Sequence, residues 1–232
     1  WRLAYRASGE FVMGVLFYDT FQGAGEAVES HTSDSGGGWT KPYGSPLLVT
    51  DGARPYVLPA GYGFTVRADA TGYTYPPQFL CATVEFDIAY PTGRYAGFVA
   101  LGLDYVAVDA DIDLSVTMWD DGVRATAPGI AWPGVPVTLI QGVNTLEIRL
   151  DRSSGDAAYL LNGGVLATAN VGPRSLAVTP FISAGDNSEE IGQTDVTLVF
   201  RSLYLYDTLT PSPPEPAARW WRNEKNAALE PV

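Results

Sequence analysis

Residues 16 to 40 read LFYDTFQGAGEAVESHTSDSGGGWT, and this stretch decides the fold that we expect for the rest of the chain. It begins with an apolar and aromatic run, Leu16 to Tyr18, and then consists mostly of Gly, Ser, Thr and acidic residues until Trp39. Such a pattern predicts an edge strand that leads into a long surface loop. The glycine run at 36–38 can turn with positive φ, which would let the Trp39 indole pack back under the sheet and hold the loop in place.

The composition of the 232-residue chain favours strands and turns over helices. Hydrophobic residues make up 46% and charged residues only 17%, and Gly, Pro and aromatic residues are abundant. These proportions suit a single large all-β domain with a substantial core. The one cysteine, Cys81, lies in an apolar run, so we predict a buried free thiol and no disulfide framework.

Alternation of apolar and polar residues identifies the strands that follow the loop. The clearest example is residues 81–90, in which one face would enter the core and the other would carry Glu85 and Asp87. Residues 95–103 are nearly continuous in small and apolar residues, as expected of a central strand. Further strands are predicted at 55–59, 63–68, 111–118, 123–126, 144–150, 158–161, 165–169 and 196–207, with turns at Asp120-Asp121-Gly122 and Asn162-Gly163-Gly164.

The loop also carries a recognisable motif. It consists of Asp19-Thr20-Phe21, Gly23, Gly25, His31-Thr32, Asp34, Gly36-Gly37 and Trp39. This motif resembles the opening of concanavalin A-like, laminin G-like jelly-roll domains, and its spacing looks most like the version found in tail and other virion proteins of bacteriophages. The resemblance covers residues 16–207 by strand pattern. It implies an antiparallel β-sandwich in which the closing strand, 196–207, pairs beside the opening strand.

Four parts of the chain are predicted. Residues 1–15 form a short N-terminal arm, 16–207 the jelly-roll sandwich, 208–216 a Pro-rich extended linker, and 217–232 a C-terminal interaction segment of helix-forming composition. The arm is expected to be a short β extension, or to pack on another copy.

The C-terminal segment contains two large aromatic residues that follow the strand expected to close the core. Exposing both indoles would forfeit several kcal/mol of burial, at roughly 25 cal/mol per Å². We therefore predict that the segment docks on another chain of an assembly; the alternative is that it folds back on its own domain or stays disordered. The predicted docking residues are Arg219, Trp220, Trp221 and Arg222.

The formal charge of the chain is −12, and it resides in residues 1–207 because the charges of residues 208–232 cancel. An acidic body repels phosphate backbones, so no nucleic-acid partner is expected. No run approaches the ~20 apolar residues of a membrane span, so no membrane partner is expected either. The first 15 residues lack signal-peptide features and begin without Met, from which we expect processing or a longer gene product.

One strand invites an enzymatic interpretation. Laminarinase-type glycoside hydrolases, which share this jelly roll, carry a Glu-x-Asp-x-x-Glu strand whose two glutamates are nucleophile and acid/base. Glu85 and Asp87 fit that pattern, but Tyr90 occupies the acid/base position. Without the second carboxyl group the leaving group is not protonated, so we predict a solvated strand face and no enzymatic activity.

Two other sets of residues could bind ligands. Six aspartates fall between residues 104 and 121 without any Lys or Arg, and hard cations such as calcium need several oxygen ligands; polar turns are the alternative. The metal candidates are Asp104, Asp109, Asp111 and Asp113. Aromatic faces beside carboxylates are typical of glycan sites, with core or rim positions as the alternative. The glycan candidates are Tyr105, Trp119, Asp120, Asp121 and Trp132. His31, the only histidine, lacks a nucleophile motif and is predicted to form hydrogen bonds within the loop.

These features together predict a non-enzymatic structural protein of a bacteriophage virion, located in the tail, a fibre or the capsid decoration. Its lectin-like jelly roll would bind host-surface glycans. We expect other virion subunits as partners, a homo-oligomer, and calcium as the candidate cofactor. The alternatives are a bacterial carbohydrate-binding or glycoside-hydrolase-like protein, and a scaffold that binds no glycan.

Overall fold

The computed structural model describes residues 14–23, 25–43, 46–49, 52–55, 63–68, 78–89, 97–103, 113–119, 122–131, 133–173, 180–185 and 197–207. Within these ranges the backbone forms fifteen strands and one short 3-10 helix, Val28–Ser30. The strands are β1 Val15–Asp19, β2 Trp39–Tyr43, β3 Pro46–Val49, β4 Gly52–Pro55, β5 Gly63–Ala68, β6 Phe79–Ala89, β7 Gly97–Gly102, β8 Asp113–Trp119, β9 Gly122–Thr126, β10 Val135–Val137, β11 Gly142–Asp151, β12 Asp156–Leu161, β13 Gly164–Asn170, β14 Phe181–Gly185 and β15 Thr197–Tyr206. None of the helical structure described in these ranges is long and apolar enough to span a membrane.

The strands form two antiparallel sheets that stack into a sandwich. One sheet has eight strands in the order β13-β12-β11-β6-β15-β4-β3, and β1 also pairs with β15. The other has seven strands in the order β10-β9-β8-β7-β14-β5-β2. The closing strand β15 pairs with the opening strand β1 from Val15↔Tyr206 to Asp19↔Leu203. The all-β jelly roll and its adjacent first and last strands are therefore confirmed.

Alternation of inward and outward side chains, clearest in β6, β8 and β11, builds the core between the sheets. In β6, Val84, Phe86 and Ile88 are fully buried, while Glu85 is exposed and Asp87 half-buried on the opposite face. β7 is a central strand, as predicted, and lies between β8 and β14. Inward residues from both sheets join one hydrophobic cluster that includes Phe17, Phe86, Leu101, Val116, Ile148, Tyr159, Ile182 and Phe200.

Both short turns predicted from the sequence join hairpins. β8 and β9 pair up to Trp119↔Gly122, so Asp120-Asp121 is a two-residue connection. β12 and β13 pair up to Leu161↔Gly164 around Asn162 and Gly163, whose φ values are 50° and 77°. Positive φ at both central residues is what a type I′ hairpin turn requires, and it explains the Asn-Gly sequence.

The first described strand can be compared with the predicted start of the sandwich. β1 begins at Val15, so the sandwich starts one residue before the predicted position 16. Residues 1–13, the linker 208–216 and the segment 217–232 lie outside the described residues, and the predictions about the arm and tail stay predictions.

Candidate functional site

The loop between β1 and β2 is organised by one buried carboxylate, that of Asp19. Asp19 Oδ2 accepts a hydrogen bond from Trp39 Nε1 at 2.6 Å, and Oδ1 accepts one from the Phe21 backbone N–H at 2.7 Å. His31 Nε2 lies 3.2 Å from the same Oδ1. Burial raises the pKa of the Asp19 carboxyl, and the hydrogen bonds from these three partners oppose the shift. We call Asp19, Phe21, His31 and Trp39 the loop anchor.

Aromatic packing completes the loop anchor. The Trp39 ring meets Phe17 edge-on, with centroids 5.5 Å apart, and lies 5.2 Å from the ring of Phe21. Trp39 is 4% exposed, which confirms that the indole packs back under the sheet. Phe21 has a φ of 52°, a left-handed conformation that its hydrogen bond to the Asp19 carboxylate supports. Of the glycines 36–38, Gly36 alone has positive φ, at 86°.

Polar residues of the same loop pair with the free edge of β1. Ser35 N–H donates to the Tyr18 carbonyl at 3.1 Å, and Tyr18 N–H donates to Ser35 Oγ at 3.2 Å. Asp34 Oδ2 accepts hydrogen bonds from both the backbone N–H and the hydroxyl of Thr20, at 2.8 and 2.6 Å. The loop thus satisfies backbone groups that an edge strand would otherwise leave open to pairing with another chain.

His31 is held between two carboxylates. Its Nε2 faces Asp19, and its Nδ1 lies 3.3 Å from Glu26 Oε1 at the loop surface. Both ring nitrogens are engaged by acceptors, and the described contacts give neither of them a Ser, Thr or Cys nucleophile. The hydrogen-bonding role predicted for His31 matches this geometry.

Strand register places the loop anchor at one end of the seven-stranded sheet. Trp39 at the start of β2 pairs with Ala68 at the end of β5. The row continues across the sheet through the pairs Arg67↔Phe181, Phe181↔Gly102, Gly102↔Asp113 and Ser115↔Thr126. We call this the anchored end of the sheet. The opposite end contains Gly63, Gly185, Gly97 and the Trp119↔Gly122 pair.

The described strands that flank the predicted glycan residues end at two different edges of the seven-stranded sheet. Trp119, with Asp120 and Asp121 after it in the sequence, belongs to the opposite end, whereas the connection that contains Tyr105 joins Gly102 to Asp113 at the anchored end. The described residues beside Trp132 also belong there, because a Cβ on Gly134 would come within 2.7 Å of the Ala125 carbonyl oxygen and the next residue, Val135, pairs with Ala125. The two ends are ~20 Å apart along β8. The grouping of the five candidates stays a prediction, because Tyr105, Asp120, Asp121 and Trp132 lie outside the described residues.

The metal candidates belong to the same connection. Asp113 begins β8 and is half-buried at the anchored end, whereas Asp104, Asp109 and Asp111 lie outside the described residues. In the part of the chain that the structure describes, no three His, Cys, Asp or Glu side chains are grouped as a metal site. Calcium binding by these aspartates stays a prediction.

Short side chains occupy the centre of the outer face of the seven-stranded sheet. Ala100, Ser115 and Ser183 alternate with the core residues of β7, β8 and β14. Ser115 Oγ lies 2.6 Å from Thr126 Oγ1 on this face. At the anchored end the Phe181 ring lies on Gly102, where a Cβ would come within 2.0 Å of the ring. This face therefore has short side chains at its centre, of which Ala100 and Ser183 are buried, and a buried aromatic ring at its anchored end.

The predicted carboxylate strand lies elsewhere, on the outer face of the eight-stranded sheet. A bulge in β15 between Phe200 and Ser202 puts Arg201 and Ser202 together against β6. Arg201 donates to Asp87 Oδ2 at 2.7 Å, and Ser202 Oγ donates to Glu85 Oε2 at 3.2 Å. Both carboxylates are therefore engaged by the neighbouring strand. Tyr90 and the glycan candidates Tyr105, Asp120, Asp121 and Trp132 lie outside the described residues, as do the docking residues Arg219, Trp220, Trp221 and Arg222.

Comparison with known proteins shows which solved structures share this fold. No protein-family model matches the sequence, and no curated protein matches it. The exoplasmic/lumenal domain of VIP36, solved in a form bound to calcium and mannose, matches with a TM-score of 0.54 at 9% identity, over 86% of this chain and 93% of that one. The legume lectin-like domain from Entamoeba histolytica matches with a TM-score of 0.52 at 12% identity, over 73% of this chain and 90% of that one.

A third similar structure is an enzyme. Trypanosoma rangeli sialidase matches with a TM-score of 0.54 at 14% identity, over 85% of this chain but only 31% of the sialidase. At these identities the likeness concerns the fold alone. It shows a jelly-roll fold of the kind seen in these lectin-like domains, in agreement with the fold that the loop motif implied.

Sequence reasoning missed two features of the site. The pairing of Asp19 with Trp39 joins residues on opposite sides of a long loop, and no local pattern signals it. Phe181 and Gly102 meet because β14 pairs beside β7, a long-range contact that only the register shows. The available signal was the apolar run of β7, which indicates a central strand without identifying its neighbours.

Proposed function

We propose that this protein is a non-enzymatic glycan-binding module, and that its site lies at the anchored end of the seven-stranded sheet. The observation that carries the proposal is the register of the described strands. The strands that flank Tyr105 and Trp132 end at the same edge of the sheet as the half-buried Asp113 and the Ser115–Thr126 hydroxyl pair. Aromatic faces next to carboxylates and hydroxyls are what sugar rings need for stacking and hydrogen bonding.

The ordered loop between β1 and β2 also supports a glycan site at the anchored end of the sheet. Binding costs less free energy when the loop that borders a site is already ordered. The loop anchor fixes its own loop at this end through one buried carboxylate and one buried indole. Similar folds add support, because VIP36 was solved with calcium and mannose bound. We infer that calcium, if it binds, is held by Asp104, Asp109, Asp111 and Asp113 in the same region.

A binding role is favoured over hydrolysis by the state of the carboxylate strand. Asp87 is paired with Arg201, and Glu85 accepts a hydrogen bond from Ser202. Both belong to the eight-stranded sheet, away from the anchored end of the other sheet. A retaining glycosidase needs two free carboxyl groups about 5 to 5.5 Å apart across the scissile bond.

The biological setting that we propose is a bacteriophage virion. The support is the loop motif of residues 19–39, which resembles that of virion jelly rolls. The protein would then display its glycan site from a tail, fibre or capsid surface, as a homo-oligomer with other virion subunits. Mass spectrometry of purified particles tests this setting, and absence of the protein from intact particles would reject it.

A glycan array combined with a reducing-sugar assay tests the activity. We expect binding without release of reducing ends, reduced by Tyr105→Ala and by Trp132→Ala, and unchanged by Val143→Ala on the exposed face of the other sheet. Chelation of calcium is expected to weaken binding. Loss of binding with Trp119→Ala alone would move the site to the opposite end. Hydrolysis would favour the glycoside-hydrolase alternative. Absence of both binding and hydrolysis would favour a purely structural role.

A further inference from the structure

The imidazole of His31 is the one side chain in the loop between β1 and β2 that can carry a positive charge. Residues 16–40 contain no Lys or Arg, whereas they contain four acidic residues, Asp19, Glu26, Glu29 and Asp34. The His31 side chain is 10% exposed, and charges interact more strongly in such partly buried surroundings than in water. The protonation state of this ring therefore affects how the loop is held.

The contacts of His31 require two ring protons. Its Nε2 lies 3.2 Å from Asp19 Oδ1, and its Nδ1 lies 3.3 Å from Glu26 Oε1. An ionised carboxylate can only accept hydrogen bonds, and a neutral imidazole has one N–H group whereas an imidazolium has two. Only the protonated ring can therefore donate to both carboxylates at once.

The two carboxylates differ in burial, which decides which contact a neutral ring would keep. Asp19 is fully buried and also accepts hydrogen bonds from Phe21 and Trp39, whereas the Glu26 side chain is 45% exposed. A buried acceptor that loses a donor is costly, but water can replace a donor at an exposed one. The remaining N–H of a neutral ring would therefore stay on Asp19, and the bond to Glu26 would be lost.

The bond to Glu26 closes the turn that contains the 3-10 helix. Glu26 and His31 flank this helix, whose first residue, Val28, is buried. The turn has two backbone hydrogen bonds, from Ser30 N–H to the Ala27 carbonyl at 2.9 Å and from His31 N–H to the Val28 carbonyl at 3.0 Å. The N-cap residue is an alanine, which has no side-chain acceptor for the first N–H groups of the helix. The side-chain bond across the turn is therefore a substantial part of what holds it.

We propose that His31 forms a pH-dependent link in this loop, in which the imidazolium ties Glu26 to the buried Asp19 and loss of one proton releases Glu26. The link is complete at pH values below the titration of the imidazole and is lost as the pH rises through it, between about pH 5 and 8. Stability of the turn should therefore fall on the alkaline side of this range. This inference goes beyond the proposed glycan function and does not depend on it.

The neighbouring elements add few positive charges. β2 and β3 both pack against the 3-10 helix. β2 contains Lys41 and Tyr43, and β3 contains no ionisable residue. Within the loop, Glu29 belongs to the helix, and the Asp34 carboxylate accepts hydrogen bonds from Thr20. Carboxyl groups thus outnumber the single lysine of these elements, and nearby negative charge favours the charged form of an imidazole.

Nitrogen NMR of the full-length protein tests the protonation state directly, because the chain has one histidine and its ring signals cannot be confused with others. The folded protein should have mainly a doubly protonated ring at about pH 6 and a ring protonated on Nε2 alone at about pH 8. More acid conditions are avoided because burial raises the pKa of the Asp19 carboxyl, which would then titrate as well. A ring that is neutral at pH 6, or one that keeps its single proton on Nδ1 at pH 8, would overturn the proposal.

Hydrogen exchange measures the link itself. In the wild type, the protection factors of the Ser30 and His31 amides should fall roughly two- to fivefold between pH 6 and pH 8, the size expected of a partly exposed ion pair. Glu26→Gln should abolish this pH dependence, because its amide can accept from a ring N–H or donate to a bare ring nitrogen. Glu85→Gln makes the same change at an exposed position of the other sheet and should leave the pH dependence as in the wild type.

His31→Gln is the second variant of the test and should also remove the pH dependence. Urea denaturation of each variant separates a local change in the turn from a loss of global stability. Wild-type protection factors that do not change between pH 6 and pH 8 would overturn the proposal. PH dependence that persists in full in Glu26→Gln or in His31→Gln would overturn it too, because another group would then be responsible.

Discussion

The loop anchor and the meander of β11 to β13, residues 142–170, are both held by side-chain hydrogen bonds, but the two regions distribute them differently. In the anchor, Asp19 alone accepts from Phe21 and Trp39 and contacts His31. In the meander, the bonds are shared between Asn144 and Asn162 and run beside continuous backbone ladders.

The hydrogen bonds of the meander are therefore redundant, whereas those of the loop anchor are not. Asn144 Nδ2 donates to the Ile140 carbonyl at 2.7 Å, and its Oδ1 accepts from Ile140 N–H at 2.9 Å and from Asn162 Nδ2 at 3.0 Å. The hairpin at Asn162 would still have its ladder if one of these bonds were lost. A loop without a ladder depends on the few buried groups that hold it, because each unpaired buried donor costs about 1–3 kcal/mol. Four substitutions measure this difference.

The largest effect is expected from Trp39→Ala. This change removes a buried indole that packs on Phe17 and Phe21, and loss of such a side chain typically costs about 3–5 kcal/mol. Urea denaturation gives the free energy of unfolding. Trp39→Phe is the control, since it keeps an aromatic ring and loses the hydrogen bond to Asp19; its cost should be clearly smaller. Equal costs would mean that the bond, and not the packing, holds the loop.

Asp19→Asn should come next. The amide keeps the shape of the carboxylate but replaces one acceptor oxygen with a donor, so one of the N–H groups of Phe21, His31 or Trp39 loses its partner. We expect a loss of about 1–3 kcal/mol in the free energy of unfolding. Hydrogen exchange of the loop amides should rise in the same variant. A loop that exchanges as slowly as in the wild type would show that Asp19 is not its anchor.

In the meander, Asn162→Ala is expected to cost about 1–2 kcal/mol, because alanine is strained in the left-handed conformation. The φ of Asn162 is 50°, and its side chain also bonds Thr145 N–H at 2.8 Å. Asn162→Gly relieves the strain and should cost less, which separates the backbone contribution from the side-chain bond. A glycine variant as unstable as the alanine variant would assign the whole effect to the hydrogen bond.

The smallest effect is expected from Ser35→Ala. The hydroxyl of Ser35 accepts from Tyr18 N–H, but Ser35 is exposed and water can replace it. The change in the free energy of unfolding should stay within about 0.5 kcal/mol. Thermal and urea denaturation both check this value. A loss comparable with that of Asp19→Asn would mean that the number of bonds in the loop, and not their burial, determines its stability.

Local sequence pattern predicted some features of the candidate site and not others. The loop motif and the Gly and Trp residues in it predicted that Trp39 would return to the sheet, and it does. Trp119 ends β8 at the opposite end of the sheet, whereas the strands that flank Tyr105 and Trp132 end at the anchored end, and the grouping of these three residues stays a prediction. Distances between side chains on separate connections depend on strand register, which sequence proximity does not encode.

By itself, the sequence determined longer strands such as β6, β11 and β15, the type I′ turn at Asn162-Gly163, the two-sided burial of β7 and the adjacency of the first and last strands. Each of these follows from period-two hydrophobicity, from the backbone preference of a few residues, or from the loop motif. The sequence did not identify β2, β3, β10 and β14. Only the tertiary structure decided that Asp19 accepts a hydrogen bond from the Trp39 indole, that the β15 bulge brings Arg201 to Asp87, and that Cys81 is buried on an outward face. The physical reason is that burial of apolar area brings these strands together. That burial stabilises the fold in proportion to the area and does not depend on which polar groups become neighbours.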